Sequence, residues 1–209
     1  MQSLMSGGAD SICSFVLASG SASRQAMLRD AGVSFEIRVP DVDEAAAKLS
    51  LIKDGASPEV TALALANLKA VSASVTLADE FVLGADQILE CEGRLFSKAT
   101  GEKEARNTLI ALRGKSHRLI SAAVLARNGA PLWRSVEAAE LTMRDFSDSF
   151  LDAYLAAEGR ALLGSVGCYR IEGMGARLFS SVSGDQFVVR GMPLLAVLGA
   201  LRTHGVLTT

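Results

Sequence analysis

Residues Ser14–Asp30 read SFVLASGSASRQAMLRD, and this stretch decides the fold that the sequence predicts. Its first part, Ser14–Ala18, is short, apolar and β-prone, and it ends at Ser19-Gly20-Ser21. A helical pattern follows from Arg24 to Asp30 and stops at Gly32. The stretch therefore predicts a strand, a loop and a helix in succession.

The loop inside this unit is a candidate anion site. A strand that ends in small hydroxyl and glycine residues before a helix presents free backbone N–H groups to an anion. Arg24 adds a fixed positive charge beside Ser21 and Ser23. An ordinary serine-rich helix cap is the alternative, and the loop taken alone favours it.

The same alternation of strands and helices continues along the chain. Further strands are predicted at 35–39, 81–85, 88–96 (a hairpin around Glu92-Gly93), 117–126, 133–143 and near 187–189. Further helices are predicted at 58–75, at 100–113 with Thr100 as cap, after a Ser147 cap, and from Pro193. A polar connection, 41–44, and a glycine-rich loop, 164–175, interrupt them.

This order predicts an α/β fold whose halves share a cleft. We expect one domain over residues 14–207, preceded by a disordered leader, 1–13. The chain has 209 residues, of which 49% are hydrophobic, enough to bury a substantial core.

Charge and cysteine content narrow the functional classes. A net charge of −2 gives no general attraction for a polyanion, so we do not expect long nucleic acid as a partner. Three widely spaced cysteines without CxxC spacing do not indicate zinc, and they fit a reducing cytoplasm. The start of the chain lacks signal-peptide features, and no segment reaches the roughly 20 apolar residues of a membrane span.

Two further residues are candidates for chemistry. Asp86 follows the predicted strand 81–85, where a carboxylate can hold a metal or activate water, although a turn aspartate is an equal alternative. Lys69 lies among the apolar helical neighbours Leu65, Ala66 and Ala73. A lysine that snorkels to the surface is its alternative.

Other single positions are weaker candidates. Lys98 could reach a phosphate from its loop, although a loop lysine is usually solvated. Asp43 and Glu44 could supply a second carboxylate to a metal, although an acidic pair in a polar connection is normally at the surface. His117, at a strand start, is more often structural than catalytic.

The order of the whole set is more specific than any one of its parts. The chain contains, in order, Leu17–Arg24, Asp43-Glu44, Leu65–Ala70, Gly84–Asp86, Lys98, Gly114–His117, Ile171–Gly173, Gly184-Asp185 and Gly191–Pro193. Over about residues 15–206 this pattern resembles the Maf (septum-formation-inhibitor) family. The resemblance implies hydrolysis of a nucleoside triphosphate to the monophosphate and pyrophosphate, with Mg²⁺ or Mn²⁺ as cofactor. It also implies an α/β fold like that of inosine triphosphatases, with a nucleotide cleft between two lobes, and a homodimer.

The resemblance also implies roles for individual residues. Ser21 and Arg24 would bind phosphate, and Lys69 and Lys98 would neutralise the polyphosphate. Glu44 and Asp86 would hold the metal and handle the water, with Asp86 as the general base. This division suits attack on the α-phosphorus, which needs positioned water, a metal and cations on the leaving pyrophosphate.

Departures from the family pattern concern substrate choice. The family loop usually carries a proline and then a large residue, where this chain has Ala22 and Ser23, and Ala99 replaces the usual proline after Lys98. Members resembling 7-methyl-GTP pyrophosphatase carry the glutamine and glutamate found here as Gln87 and Glu172. A buried glutamate offers acceptors only, which suits a cationic methylated purine or the N–H edge of guanine. Ser23, Gln87 and Glu172 are therefore the candidate specificity residues.

Three alternatives stay open at this point. The enzyme could prefer dTTP or UTP, a preference that the family marks by a threonine at the position of Gln87 and a glutamine at the position of Glu172. A catalytically silent nucleotide-binding regulator of division is motivated by Ser23 and Ala99. A structural α/β domain would make the motif matches accidental.

Overall fold

The computed structural model describes residues 14–208, and the predicted leader, 1–13, lies outside them. The strands are β1 Phe15–Leu17, β2 Glu36–Ile37, β3 Phe81–Cys91, β4 Arg94–Phe96, β5 Ser116–Arg127, β6 Ala130–Met143 and β7 Phe179–Ser183. The helices are α1 Ala22–Asp30, α2 Glu44–Lys53, α3 Pro58–Val75, α4 Glu102–Leu112, α5 Asp148–Glu158, α6 Gln186–Val189 and α7 Leu194–Thr203, with 3-10 turns at Gly159–Gly164 and Met174–Leu178. This alternation confirms the predicted α/β class. Among residues 14–208, no helix is both long and apolar enough to cross a bilayer.

One seven-stranded mixed sheet organises these elements in the order β2-β1-β3-β5-β6-β7, with β4 paired to the far end of β3. β1 runs parallel to both β2 and β3, while β3, β5, β6 and β7 pair in antiparallel fashion. β5 follows β3 from Val82 to Glu90, so β3 is hydrogen-bonded along most of its length. The centre of β3 is therefore a rigid platform for the residues that project from it.

Helices cover both faces of the sheet. Alternate residues of β3 face opposite sides, so Leu83 and Ala85 pack with α1 and α7, whereas Ile88 packs with α3. Farther along the first face, Leu89 joins a second cluster with α4 and α5. Two helical clusters thus share one face of the sheet, and Gln87 lies between their β3 residues.

Helix α3 lies directly on β3 because Gly84 has no side chain. A Cβ atom at Gly84 would come within 2.3 Å of the Ala66 carbonyl oxygen and 2.5 Å of the Ala70 backbone nitrogen. The helix begins as predicted, with Ser57 Oγ accepting a hydrogen bond from the Val60 N–H and Pro58 in the first turn. This close contact places the middle of α3 over the middle of β3.

Several local predictions need correction. The strand predicted at 81–85 continues to Cys91, because β5 and then β4 pair with it, so Asp86 lies within β3 rather than after it. Asp86 nevertheless lies beyond the last parallel pair with β1, Leu17 opposite Leu83. Residues 41–43 are irregular, as predicted for a polar connection, but Glu44 begins helix α2, which the sequence did not predict. Asp43 is the N-cap of α2 and accepts from the Ala46 N–H.

Two further predictions fail for reasons of local hydrogen bonding. Residues near 187–189 form α6 rather than a strand, and Asp185 caps that helix by accepting from the Phe187 N–H. Thr100 is not the cap of α4, because its N–H and hydroxyl both donate to the Glu104 carboxylate and Gly101 occupies the N-cap position. The predicted Ser147 cap and the hairpin turn at Glu92-Gly93 are confirmed.

Candidate functional site

A cavity of about 940 Å³ opens where the loop after β1, the start of α2, the middle of β3 and the 164–172 and 189–191 segments meet. All of the residues to which the family resemblance assigns a role line it: Ser21, Ser23, Arg24, Glu44, Lys69, Asp86, Gln87, Lys98 and Glu172. The weaker candidates Asp43 and His117 do not line it. The lining residues come from separate elements along the chain, so the fold and not local sequence assembles this cavity.

A buried ammonium group between two carboxylates forms the floor of the cavity. Lys69 Nζ lies 2.7 Å from Asp86 Oδ1 and 2.6 Å from Glu44 Oε2. The Lys69 side chain is 7% exposed and that of Asp86 11%, whereas that of Glu44 is 48% exposed. Lys69 therefore does not snorkel to the surface. Its positive charge is balanced inside the protein by the carboxylates of Glu44 on α2 and Asp86 on β3.

The loop after β1 holds Arg24 in a fixed position. The Arg24 guanidinium donates from Nε to the Gly191 carbonyl at 2.8 Å and from Nη1 to Ser19 Oγ at 3.2 Å. Burial lowers the pKa of Arg24, while the charges of Asp86 and Glu44 oppose that shift. Ser21 caps α1 by accepting from the Arg24 N–H, so the loop is both the cap and the cavity wall that the sequence suggested.

Lys98 faces the cavity from the segment between β4 and α4. Its pKa is lowered by desolvation and then by the positive charges of Arg24 and Lys69, against the opposing effect of Glu44 and Asp86. Within residues 14–208 its ammonium group makes no hydrogen bond or ion pair. Lys98 therefore adds a positive charge that the surrounding protein does not neutralise by direct contact.

Lys48 also lines the cavity, although its sequence position did not indicate this. It follows Glu44 by one turn of α2, and its Nζ donates to the Phe96 carbonyl at 2.9 Å and to Ser97 Oγ at 3.0 Å. Burial lowers its pKa, and Asp86 partly offsets this effect. Glu44 and Lys48 share one helical face by their spacing, but this signal appears only once 44–53 is known to be a helix.

Three site residues bind the backbone carbonyls of the 188–191 segment. Gln87 Nε2 donates to the carbonyls of Val188 and Val189, at 2.9 and 3.1 Å. Ser23 Oγ donates to the carbonyl of residue 190 at 2.9 Å, and Arg24 Nε donates to the carbonyl of residue 191. The structure thus gives Ser23 and the Gln87 amide nitrogen direct contacts with protein, which the sequence did not indicate.

Glu172 differs from the expectation that it is buried. Its side chain is 37% exposed, and its Oε1 lies 3.6 Å from Arg170 Nε. The reason is its place in an irregular segment between the two 3-10 turns, outside the sheet. Glu172 therefore stands at the rim of the cavity, where it can accept hydrogen bonds from a ligand that enters.

His117 lies behind the cavity wall rather than in it. The side chain is 2% exposed, and its Nε2 lies 2.7 Å from the Tyr169 hydroxyl oxygen. Desolvation lowers the pKa of His117 to about 4, so the imidazole is neutral near pH 7. Tyr169 itself lines the cavity, and His117 fixes its hydroxyl group.

The carboxylates of the site bear on metal binding. Within residues 14–208, no group of three or more His, Cys, Asp and Glu side chains is arranged to hold a metal ion. Glu44 and Asp86 nevertheless converge on one point, with Lys69 Nζ within 2.7 Å of both. Mg²⁺ is commonly bound by one or two carboxylates together with substrate phosphates and water, so this pair fits such an ion when a polyphosphate is present.

Comparisons with known proteins agree with this arrangement. A family model described as "Maf-like protein" matches residues 14–204. A nucleoside triphosphate pyrophosphatase from Caulobacter vibrioides is 49% identical over 95% of this chain and 99% of its own length. A 7-methyl-GTP pyrophosphatase from Mesorhizobium japonicum is 46% identical over 91% of this chain and 96% of its own.

Among solved structures, a HAM1 protein from Coxiella burnetii is 21% identical and aligns with a TM-score of 0.43, covering 64% of this chain and 74% of that one. The family match extends over nearly all of the described residues and includes every residue that lines the cavity. On this match and on the near full-length relatives, the chain belongs to the Maf family.

Proposed function

We propose that this protein is a nucleoside triphosphate pyrophosphatase that hydrolyses its substrate to the monophosphate and pyrophosphate. The observation that carries the proposal is the buried Lys69 between Asp86 and Glu44, placed in a cavity with Lys98 and Arg24. Relatives that share nearly the whole length of this chain carry the name of this activity. The cavity combines carboxylates for water and metal with cations for a polyphosphate, as this reaction requires.

In the reaction, a water oxygen attacks the α-phosphorus, and the bond from that phosphorus to the bridging oxygen of the β-phosphate breaks. Asp86 accepts the proton of the attacking water. Its Oδ1 is held by Lys69, so the carboxylate has a fixed orientation and its second oxygen can face the water. The bridging oxygen leaves on pyrophosphate, together with the electron pair of the broken bond.

Positive charge in the cavity stabilises the pyrophosphate that leaves. Lys98 has no direct protein partner within residues 14–208, so its ammonium group is available to phosphate oxygens. Arg24 is already bound to Ser19 and Gly191, and so it acts from a fixed position. Charges that are placed before the reaction need no reorganisation as negative charge moves to the leaving group.

A divalent cation, Mg²⁺ or Mn²⁺, is part of the proposal. Glu44 and Asp86 would hold it. When bound, the cation withdraws negative charge from the phosphate oxygens. Lys69 keeps the two carboxylates close together, which favours their joint use as ligands.

For the nucleobase, we favour 7-methyl-GTP or another modified purine nucleotide. The 7-methyl-GTP pyrophosphatases among the relatives support this assignment, as does Glu172 at the cavity rim. A carboxylate can stabilise the positive charge of a methylated guanine and can accept from its N–H groups. dTTP or UTP hydrolysis is the alternative within the enzymes, and a silent nucleotide-binding regulator is the alternative outside them.

The experiment is a substrate panel. Purified protein is incubated with Mg²⁺ or Mn²⁺ and with 7-methyl-GTP, GTP, dTTP, UTP or CTP, and both products are followed. Release of pyrophosphate and monophosphate in equal amounts supports the proposal, and the nucleotide with the highest kcat/KM decides the subgroup. Tight binding of a nucleotide without release of pyrophosphate would overturn the enzyme and favour the regulator.

The remaining assignments belong to the same proposal. Residues 14–207 form one domain, the protein acts in the cytoplasm, and it is a homodimer. Cys91 and Cys168 are buried free thiols, which supports a reducing compartment. Size-exclusion chromatography with light scattering tests the dimer, and a monomeric mass at micromolar concentration would contradict it.

A further inference from the structure

The inference concerns Lys48, and it rests on the proposed function. Helix α2 supplies Glu44 and Lys48 to the cavity, yet none of its ten residues is buried. Its attachment at the cavity therefore depends on polar contacts more than on packing. Glu44 contacts Lys69 of α3, and Lys48 contacts the segment after β4.

The contacts of Lys48 fall immediately before Lys98. Its ammonium group donates to the Phe96 carbonyl at 2.9 Å and to Ser97 Oγ at 3.0 Å. These two residues lead directly into Lys98. The segment that carries Lys98 is thus bonded to α2 through the Lys48 ammonium group.

We infer that Lys48 is a positioning residue that holds the Phe96–Lys98 segment against α2 and thereby sets the place of Lys98 on the substrate polyphosphate. The same helix then fixes both groups that act on opposite parts of the substrate. Glu44 stands on the side of the metal and the attacking water, and Lys98 stands on the side of the leaving pyrophosphate. Lys48 acts through Lys98 and not by contact with the reacting atoms.

The first test is a double-mutant cycle on the full-length enzyme with its best nucleotide. Lys48→Met removes the ammonium group and keeps most of the apolar stem. Lys98→Met removes the positive charge that Lys48 is inferred to position. Because misplacement of a catalytic group is costly, we expect Lys48→Met to lower kcat/KM by roughly tenfold to hundredfold in the wild-type background. In the Lys98→Met background we expect a loss of less than about twofold, since the positioned group is absent.

Controls separate positioning from a general loss of structure. Lys53→Met removes a charge from the other end of α2, where the residue is exposed and does not line the cavity, and it should leave kcat/KM unchanged. Lys48→Arg can still donate to the Phe96 carbonyl and should restore part of the activity. Additive losses in the cycle would overturn the inference, because Lys48 would then act independently of Lys98.

A second test does not need turnover. Hydrogen–deuterium exchange of peptides that cover Phe96–Ala99 should be faster in Lys48→Met than in wild type and unchanged in Lys53→Met. Equal exchange in all three proteins would overturn the inference, whatever the activity. Wild-type protein that releases no pyrophosphate from any nucleotide would instead overturn the proposed function, and the exchange result would still decide whether Lys48 fixes this segment.

Discussion

Lys69 Nζ lies 2.7 Å from Asp86 Oδ1, although the two residues are 17 positions apart and belong to different elements. Lys69 extends from α3 and Asp86 from β3, so the pair joins the helix to the centre of the sheet at the floor of the cavity. Glu44 reaches the same ammonium group from α2. One buried charge therefore links the fold to the proposed chemistry.

Asp86→Asn should reduce kcat by a hundredfold or more while the protein stays folded. The amide keeps the shape of the side chain but loses the negative charge needed to accept a proton or to hold a metal, a loss of roughly 3 kcal/mol in transition-state stabilisation. Steady-state kinetics with the best nucleotide measures it. Asp30→Asn, at the exposed end of α1, is the matched control and should keep wild-type kcat. An Asp86→Asn enzyme with more than half of the wild-type kcat would remove Asp86 from the mechanism.

Lys69→Met should destabilise the protein as well as inactivate it. It leaves the Asp86 carboxylate buried without its partner, and breaking a buried ion pair in this way costs about 3 kcal/mol or more. Urea unfolding measures this change in the free energy of unfolding. The comparison is Lys115→Met, which breaks a solvent-exposed ion pair with Glu92 and should leave the urea midpoint nearly unchanged. Unfolding of the two lysine variants at the same urea concentration would contradict the greater contribution of the buried Lys69–Asp86 pair to stability.

Gly84→Ala should disrupt the contact that brings Lys69 to Asp86. The new Cβ would lie 2.3 Å from the Ala66 carbonyl oxygen, so α3 must move away from β3, at a cost of roughly 1–3 kcal/mol or more. We expect lower stability and a lower kcat together. Gly199→Ala in α7 has open space around its Cβ and should stabilise the protein by up to about 1 kcal/mol. Equal effects of the two substitutions would contradict this account of the α3–β3 contact.

The sequence was sufficient for most of the sheet because the deciding signals are local. Alternating apolar residues, the Ser147 cap of α5 and the Glu92-Gly93 turn each depend on neighbours in the chain. The predicted strand near 187–189 failed because its β-prone residues are overruled by the Asp185 cap and by tertiary contacts. Intrinsic strand preference is weak compared with such contacts.

The candidate site was predictable only through the order of its motifs. Nothing local marks Lys69 as the partner of Asp86, since their contact depends on how closely α3 approaches β3 at Gly84. Lys48 was missed because no helix was predicted after the connection at 41–44, so the helical face that Lys48 shares with Glu44 was not recognised. The contact of Ser23 with the backbone at residue 190 spans 167 positions and has no sequence signal.

His117 should make the stability of the protein depend on pH in the acidic range. Its folded-state pKa of about 4 lies below the ordinary value of 6.5, so the unfolded chain binds more protons between these values. Stability is therefore lost as pH falls from about 6.5 to about 4, by roughly 3 kcal/mol in all. His117→Gln cannot take up that proton and should show a flatter profile. Urea midpoints measured from pH 7 to pH 4 test this, and parallel profiles for the two proteins would contradict it.

Ser23→Ala distinguishes a structural role of Ser23, its hydrogen bond to the backbone of residue 190, from a direct role in nucleobase selection. The structure shows Ser23 Oγ donating to the carbonyl of residue 190, so its loss should cost about 1 kcal/mol of stability. We expect KM to rise severalfold for every nucleotide alike and kcat to stay within about twofold, because the 188–191 segment forms the cavity wall and takes no part in bond breaking.

Ser23→Thr keeps the hydroxyl group and should restore both stability and KM. The alternative is the direct role in base selection that the family resemblance implies. In that case Ser23→Ala would change the order of preference among 7-methyl-GTP, GTP and dTTP while leaving the urea midpoint unchanged. Because the two roles predict opposite patterns in stability and specificity, one variant measured in both assays decides between them.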